Sequence, residues 1–516
     1  MSFDQVIQDA YSFKGESFLL GGAVLENKPL TGSRVNLPLK TMNRHGLIAG
    51  ATGTGKTKTL QHLAEGLSDA SVPVLMMDIK GDLSGIGAAG TLNDKVAERC
   101  THLGIEYTPS AYPIEFLTLS DEPGSRLRAT VSEFGPVLFS KILGLNDTQE
   151  GIMSMIFKYC DDHQLPLLDL KDLTRVLQYI NNEGKDEVKE AYGNISSQST
   201  GTILRKIIEL QQQKADIFFG EKSFEVDDLM RISDDGRGMI SILRVTDLQD
   251  RPKLFSTFML QLLAELYGSL PEAGDLEKPK LVLFIDEAHL IFQDANSALL
   301  QQLETVIKLI RSKGVGIFFI TQNPTDIPQS ILGQLGLKIQ HALRAFTAKD
   351  RQDIKKVAEN YPETEFYKTE DLITQLGIGE ALVTLLNEKG IPTPLVHTMM
   401  CPPRSRMDIL TEGEINSIVG QSKIAKKYNE VIDSKSAYEL LNEKLTEVAE
   451  KDAEVETETK TSSSSKKEEK GTLETILSNP VARQVGRTAA SIITRSLLGV
   501  LGLGGTTRKR KSTSWF

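Results

Sequence analysis

An α/β fold built on a mostly parallel sheet is predicted by three observations along the 516 residues. First, between about residues 45 and 120, short apolar runs alternate with helical patterns: "HGLIAG", a helix over about 57–67, then "VPVLMMDI". Strands that alternate with helices imply parallel pairing through crossovers. Second, the alternation resumes near 238 with "GMISILRV", a helix around 254–270, "KLVLFIDE", a helix around 297–313 and "VGIFFITQ". The runs "KIQHALR", "EALVTLL" and "PLVHTMM" read as later strands of the same sheet. Third, the intervening stretch places apolar residues at helical spacing in "EGIMSMIFKYC", "LKDLTRVLQYI" and "TGTILRKIIELQQQ", which reads as an α-helical insertion between strands.

These patterns divide the chain into a first core part (1–121), the insertion (122–235), a second core part (236–407) and a helical extension (408–450). The charged, Ser-rich stretch 451–472 has the composition of a disordered, solvated linker. Beyond it, 473–516 carries seven basic residues (Arg483, Arg487, Arg495, Arg508, Lys509, Arg510, Lys511) against one acid, Glu474. Such a segment suits a basic amphipathic helix for a membrane surface, a nucleic acid or a protein partner. A helix that packs on its own protein or pairs between subunits fits it too.

Composition narrows the class. A hydrophobic content of 40% is ordinary for a soluble chain. Cys100, Cys160 and Cys401 are few, odd in number and scattered, which points to a reducing compartment and away from a disulfide framework or zinc cluster. The opening "MSFDQVIQDA" has no apolar signal core, and no uninterrupted apolar run reaches the roughly 18 residues of a membrane span, so a cytoplasmic protein is expected. The net charge of −10 gives no overall basic footprint for DNA, and a local positive channel would not show in that sum.

The chemistry gathers at strand ends. Gly50, Ala51, Thr52, Gly53, Thr54, Gly55, Lys56 and Thr57 match G-x-x-x-x-G-K-[ST], with an apolar strand before them and a periodic helix after. The glycines let backbone N–H groups turn inward around a phosphate, and the helix presents its positive end. In this P-loop, Lys56 is expected to reach the β/γ-phosphates and Thr57 to ligate Mg²⁺, with Lys58 closing the nucleotide-binding stretch.

Asp286 and Glu287 end the core strand "LVLFI". A carboxylate there is placed to meet a metal bound with a nucleotide at the edge of a parallel sheet, which assigns Asp286 to Mg²⁺. Glu287, one residue further, is the expected base or water-positioning group for attack on the γ-phosphate. Two acids at a helix start would also satisfy the helix dipole. Thr321 and Gln322 end another strand, where a polar tip can sense the γ-phosphate or simply begin a turn. Asp78, Lys80 and Asp82 follow "VLMM" and read equally as lining of the nucleotide path or as salt bridges at a strand exit. For the arginine that balances charge in trans, Arg311 is the first candidate, followed by Arg344, Arg404 and Arg406.

Together, "GATGTGKT", "MMDIKGDL", "LFIDEAH" and "RSKGVGIFFITQNPTDIP" resemble the HerA/FtsK group of P-loop ATPases, and the HerA-like helicase C-terminal domain family most closely. The resemblance covers about residues 15–407. It implies a RecA-like P-loop NTPase fold, ATP as fuel, and a ring-shaped homo-hexamer with active sites between subunits. It also implies coupling of hydrolysis to DNA movement. It assigns Lys56 and Thr57 to the P-loop, Asp286 to Mg²⁺, Glu287 to catalysis, Gln322 to sensing and Arg311 to the finger. Only about 45 residues precede the P-loop, too few for the β-barrel that HerA helicases carry there beside the core's first strand. The expected function is an ATP-hydrolysing motor acting on DNA; the alternative is a nucleotide-dependent scaffold or switch that binds a protein or membrane partner through 473–516. No Asn-Lys-x-Asp guanine-reading motif is found, and a glutamate directly after the metal aspartate suits water activation better than kinase chemistry.

Overall fold

The computed structural model describes residues 2–246, 251–274, 276–292, 297–430, 432 and 434–459. Twelve strands form one sheet: β1 (Ser17–Leu25), β2 (Lys28–Pro38), β3 (Gly46–Ala49), β4 (Val74–Asp78), β5 (Ile114–Thr118), β6 (Ser125–Arg126), β7 (Ile240–Arg244), β8 (Leu281–Ile285), β9 (Val315–Thr321), β10 (Leu337–Gln340), β11 (Glu380–Thr384) and β12 (Val396–Met400). Their order is β2-β1-β12-β11-β10-β3-β9-β8-β4-β7-β5-β6. From β10 to β6 every pair is parallel, whereas β10–β11, β11–β12, β12–β1 and β1–β2 are antiparallel.

The parallel strands are short and apolar because both faces are covered, and β3, β4, β5, β8 and β9 are buried at every position. The expected helices connect them, at Lys56–Asp69, Pro252–Ser269 and Ser297–Ile310. The antiparallel wing was not expected from the apolar runs alone. Its edge is a tight hairpin in which Glu26 and Asn27 both have positive φ, 50° and 59°, so that Leu25 pairs directly with Lys28.

One packing contact fixes the site's floor. Phe318, fully buried in β9, lies 5.1 Å from the ring of Phe284 in β8, and its ring covers Gly46 at the start of β3. A Cβ at Gly46 would stand 2.5 Å from that ring.

Among the described residues two compact units are present, 2–128 with 222–430, and 129–221 with 432–459. The second is helical: Val131–Leu143, Asp147–Asp162, Leu170–Asn181, Lys185–Tyr192 and Ser197–Gln212, joined by Ala437–Thr459. Capping boxes start three of these helices, at Thr130/Glu133, Asn146/Gln149 and Asp169/Asp172. The helix from Ala437 is tied on by Ala437 N to Pro166 O (2.9 Å), Tyr438 N to Asp172 Oδ1 (2.9 Å) and Arg175 Nε to Asn442 Oδ1 (2.9 Å).

The boundaries differ from the sequence expectation of 122–235. Ser125–Arg126 pairs with β5 as the sheet's edge, and Arg231 belongs to the sheet-bearing unit through its ion pair with Glu115 at 2.8 Å. The extension 408–450 is likewise split, since Glu412–Gln421 and Lys423–Tyr428 belong to the first unit. The stretch 451–472, read as a disordered linker, begins inside the last helix, which runs to Thr459. Its remainder and the basic segment 473–516 lie outside the described residues. Among the described residues no helix is long and apolar enough to cross a membrane.

If the Phe318 ring occupies the space of a Gly46 side chain, Gly46→Ala should destabilise the protein by about 1–3 kcal/mol through overpacking. In a Phe318→Leu background the added penalty should shrink, and a double-mutant cycle of denaturation midpoints checks it.

Candidate nucleotide-binding and catalytic site

Strand register brings the predicted residues to one edge of the sheet. Ala49 of β3 pairs with Thr321 of β9, Ile285 of β8 with Phe319 of β9, and Met77 of β4 with Ile285. Four parallel strands therefore release their chains side by side: the loop Gly50–Gly55, the tip Gln322, the pair Asp286–Glu287, and the turn Ile79–Asp82.

The loop is held from below. Gly50 N donates to Thr321 O (3.3 Å), Ala51 N to Ala342 O (2.8 Å), and Thr54 O accepts from Gly379 N (2.9 Å). Gly50, Gly53 and Gly55 have φ of 154°, 77° and 111°. The glycine at 50 is required twice over, because a Cβ there would also stand 2.5 Å from the Cβ of His341. Gly55 caps the following helix without any side-chain hydrogen bond, and while Lys58 N donates to Gly55 O (3.1 Å), the amides of Lys56 and Thr57 are left to an anion. Lys56 is buried, and its ammonium donates to Gly50 O (2.5 Å) and Ala51 O (3.1 Å), folded over the loop it springs from.

A polar chain crosses the strand ends. Thr52 Oγ1 lies 3.5 Å from Gln322 Oε1, Gln322 Nε2 lies 3.5 Å from Glu287 Oε1, and Lys80 Nζ meets the same Glu287 oxygen at 2.5 Å and Asp286 Oδ2 at 4.0 Å. Glu287 stands in the left-handed region at φ 45°, an unfavourable backbone for a glutamate that turns the chain sharply after the strand. Thr57 Oγ1 donates to Asp82 Oδ2 at 3.2 Å.

Charges here are coupled. Burial holds the Lys56 ammonium below its ordinary pKa, the Lys80 charge adds to that, and Glu287 and Asp286 pull the other way. Burial pushes Asp286 up to about 6 against the attraction of Lys80. Burial also acts to raise Glu287, but the hydrogen bond and charge of Lys80, with His289 and Gln322, hold it below the usual carboxylate value.

The donors fit Mg²⁺. Thr57 and Asp286 offer hard oxygens, and Asp82 Oδ1 and Glu287 Oε2 are buried without a hydrogen-bond partner. No cluster of three or more His, Cys, Asp or Glu side chains suited to a metal occurs among the described residues. Few protein ligands are what a Mg²⁺ shared with substrate phosphates needs.

Other candidates are placed differently. Asp78 is buried, and its carboxylate accepts from Gly81 N (2.7 Å), Asp82 N (3.1 Å) and Leu83 N (3.2 Å), so it shapes the turn. Lys58 points away from the loop, to Met407 O. Arg404 pairs with Asp69, and its backbone N–H donates to Glu65 (2.8 Å). Arg406 makes a two-pronged contact with Glu414 at 3.1 and 3.0 Å. Arg344 and Arg311 are exposed, and neither meets a carboxylate among the described residues. Arg344 follows β10 near the loop's Ala51–Ala342 bond, whereas Arg311 precedes β9. The seven residues of β9 separate Arg311 from its own chain's site by roughly 20 Å.

Two supports escaped the sequence reading. Arg99 holds Ile378 O (2.8 Å), Gly379 O (2.9 Å) and Met400 O (3.2 Å), fixing the turn on which Thr54 rests. His341, fully buried, bridges Glu380 O through Nδ1 (2.8 Å) and Thr59 Oγ1 through Nε2 (3.0 Å) beneath the loop. A single histidine after an apolar run gives no signal of that role.

The P-loop on a parallel sheet, with a threonine, an aspartate and a glutamate gathered at the adjoining strand ends, defines the P-loop ATPase class. The chain belongs to the family "Helicase HerA-like C-terminal", whose model matches residues 24–509. It is similar to the DNA double-strand break repair helicase HerA of Sulfolobus acidocaldarius, 21% identical over 70% of this chain and 67% of the relative. The namesake from Sulfurisphaera tokodaii is 23% identical over 69% of this chain and 65% of the relative. The chain thus spans about two thirds of the length of these relatives. Among solved structures, the bacterial conjugative coupling protein TrwB shares the fold at 14% identity, with a TM-score of 0.50 over 80% of this chain and 95% of the other. A complex of the plasmid coupling protein TrwB with the ATP analogue ADPNP matches at a TM-score of 0.51 over 79% and 95%.

His341 carries a pH consequence. Burial lowers its pKa from 6.5 to about 4, so the folded protein takes up this proton only well below the pH at which the unfolded chain does. Its contribution to stability is complete above pH 6.5 and disappears as the pH falls toward 4, by roughly 3 kcal/mol. His341→Gln should therefore flatten the loss of stability across that window relative to the parent, measured as denaturation midpoints at each pH.

Proposed function

We propose that the protein is a Mg²⁺-dependent ATPase that converts ATP and water to ADP and phosphate, and that it works as a homo-hexameric motor on DNA. The observation that carries the ATPase reading is the unbroken contact chain from the P-loop through Gln322 to Glu287, with Lys56 folded over the same loop. In this reading the amides of Thr52, Gly53, Gly55, Lys56 and Thr57 and the Lys56 ammonium bind the β- and γ-phosphates. Glu287 takes the proton of the attacking water while the water oxygen bonds to the γ-phosphorus, and the bond to the β–γ bridging oxygen breaks to leave ADP. Gln322 orients that water from the neighbouring strand. Thr57 and Asp286 would hold Mg²⁺, which when bound would supply charge neutralisation on the phosphate oxygens.

ATP as the nucleotide is supported by the ADPNP bound to the fold relative. DNA as the track is supported by the names of the HerA relatives. The position of Arg311, at the sheet edge opposite its own P-loop, suits an arginine offered to a neighbouring subunit in a ring. The basic segment 473–516 would serve a protein or membrane partner.

Lys56→Ala should abolish nucleotide binding and turnover, while Glu287→Gln should keep ATP bound and lower kcat by about 100-fold or more. Fluorescent-nucleotide titration with a phosphate-release assay separates the two, and unaltered turnover in either variant contradicts the assignment.

The motor reading predicts that duplex or single-stranded DNA raises the ATPase rate and that the particle mass in solution is sixfold that of the chain. Turnover indifferent to DNA, with partner binding lost when 473–516 are removed, would identify a scaffold instead.

A further inference from the structure

The ATPase reading gives no task to Lys80, yet Lys80 makes the shortest contact to the proposed base. Its ammonium sits 2.5 Å from Glu287 Oε1 and 4.0 Å from Asp286 Oδ2, and Gln322 Nε2 shares that Glu287 oxygen at 3.5 Å. A carboxylate bound to an ammonium is poorly disposed to accept a proton from water. Catalysis by Glu287 therefore requires that Lys80 leave.

The surroundings fix the backbone of Lys80, while its side chain, held only by the acid pair, stays partly exposed. Asp78 holds the amides of Gly81, Asp82 and Leu83, and Asp82 in turn touches Thr57 in the first turn of the P-loop helix. The base of the Lys80 side chain is thus anchored beside the phosphate-binding loop. The side chain itself is 36% exposed, against 8% for that of Glu287, so the lysine is the partner able to swing. The Lys80 charge adds to the lowering of the Lys56 ammonium's pKa, and the loop that Lys56 covers is linked to Glu287 through Thr52 and Gln322. An anion between the two ammonium groups would relieve their repulsion.

We propose that Lys80 is a γ-phosphate-sensing latch: it pairs with Glu287 until ATP binds, then passes its ammonium to the γ-phosphoryl group and frees Glu287 to act on water. One ion pair replaces another, and no covalent bond changes. ADP has no γ-phosphoryl group, so with ADP bound Lys80 remains on Glu287 and the base is idle. The inference rests on the ATPase reading and adds to it a residue that distinguishes the triphosphate from the diphosphate.

The test is calorimetric titration of the full chain with ADP and with the β,γ-imido analogue of ATP, both with Mg²⁺, in the parent, Lys80→Met, Lys80→Arg and Glu287→Gln. Lys80→Met should lose about tenfold or more in affinity for the analogue and remain within about twofold for ADP, while Lys80→Arg keeps most of the preference. Glu287→Gln removes the competing carboxylate and should raise the preference for the analogue over ADP, a gain abolished by adding Lys80→Met. Equal losses for both nucleotides, or none for either, would overturn the latch and leave the ATPase reading standing. Should Lys80→Met not fold, an unchanged preference in Glu287→Gln overturns the latch by itself. A parent that binds neither nucleotide refutes both.

Discussion

Everything at the site depends on the hydrogen-bond register of β3, β9, β8 and β4. Ala49 opposite Thr321, Phe319 opposite Ile285 and Ile285 opposite Met77 make four chains leave one sheet edge together. A slip of one residue in any strand would turn its side chains to the other face and carry its terminal polar group out of line. The register is protected by packing, since all four strands are wholly buried and Phe318, Phe284 and Gly46 interlock across them.

Above that floor the polar groups are few and mutually committed. The buried His341 stays neutral and offers both ring nitrogens to fixed partners, so it supports the P-loop without adding charge beside Lys56. Asp78 spends its carboxylate on three amides of its own turn and thereby fixes where Lys80 and Asp82 begin. Lys80 offsets the charge of two neighbouring acids that burial alone would push toward neutrality. Glu287 is held below the usual carboxylate range for this reason, and in the proposed latch the same ammonium keeps it from acting as a base.

Much of this was legible in the sequence because the signals were local. A glycine-rich loop between an apolar run and a periodic helix specifies the P-loop from a dozen residues, and two acids after "LVLFI" specify a strand tip. The alternation of runs and helices conveyed the parallel half of the sheet. The antiparallel wing was less legible, because pairing partners such as Gly21 and Met400 are hundreds of residues apart and no local pattern links them. Side-chain direction was also beyond reach: Lys58 and Arg404 look as available as Lys56 and Arg311, and only tertiary contacts commit them to Met407 and Asp69. The supports Arg99 and His341 act through backbone carbonyls and a hydroxyl, which leave no motif.

The central claim is spatial: one bound triphosphate occupies the space between the P-loop, Gln322 and the Asp286–Glu287 pair. A crystal structure of the full chain with Mg²⁺ and a non-hydrolysable ATP analogue tests it most directly. The account predicts β- and γ-phosphates wrapped by the amides between Thr52 and Thr57, with the Glu287 carboxylate facing a water in line with the γ-phosphorus. A nucleotide seated elsewhere, or a Glu287 directed away from the γ-phosphate, would contradict it.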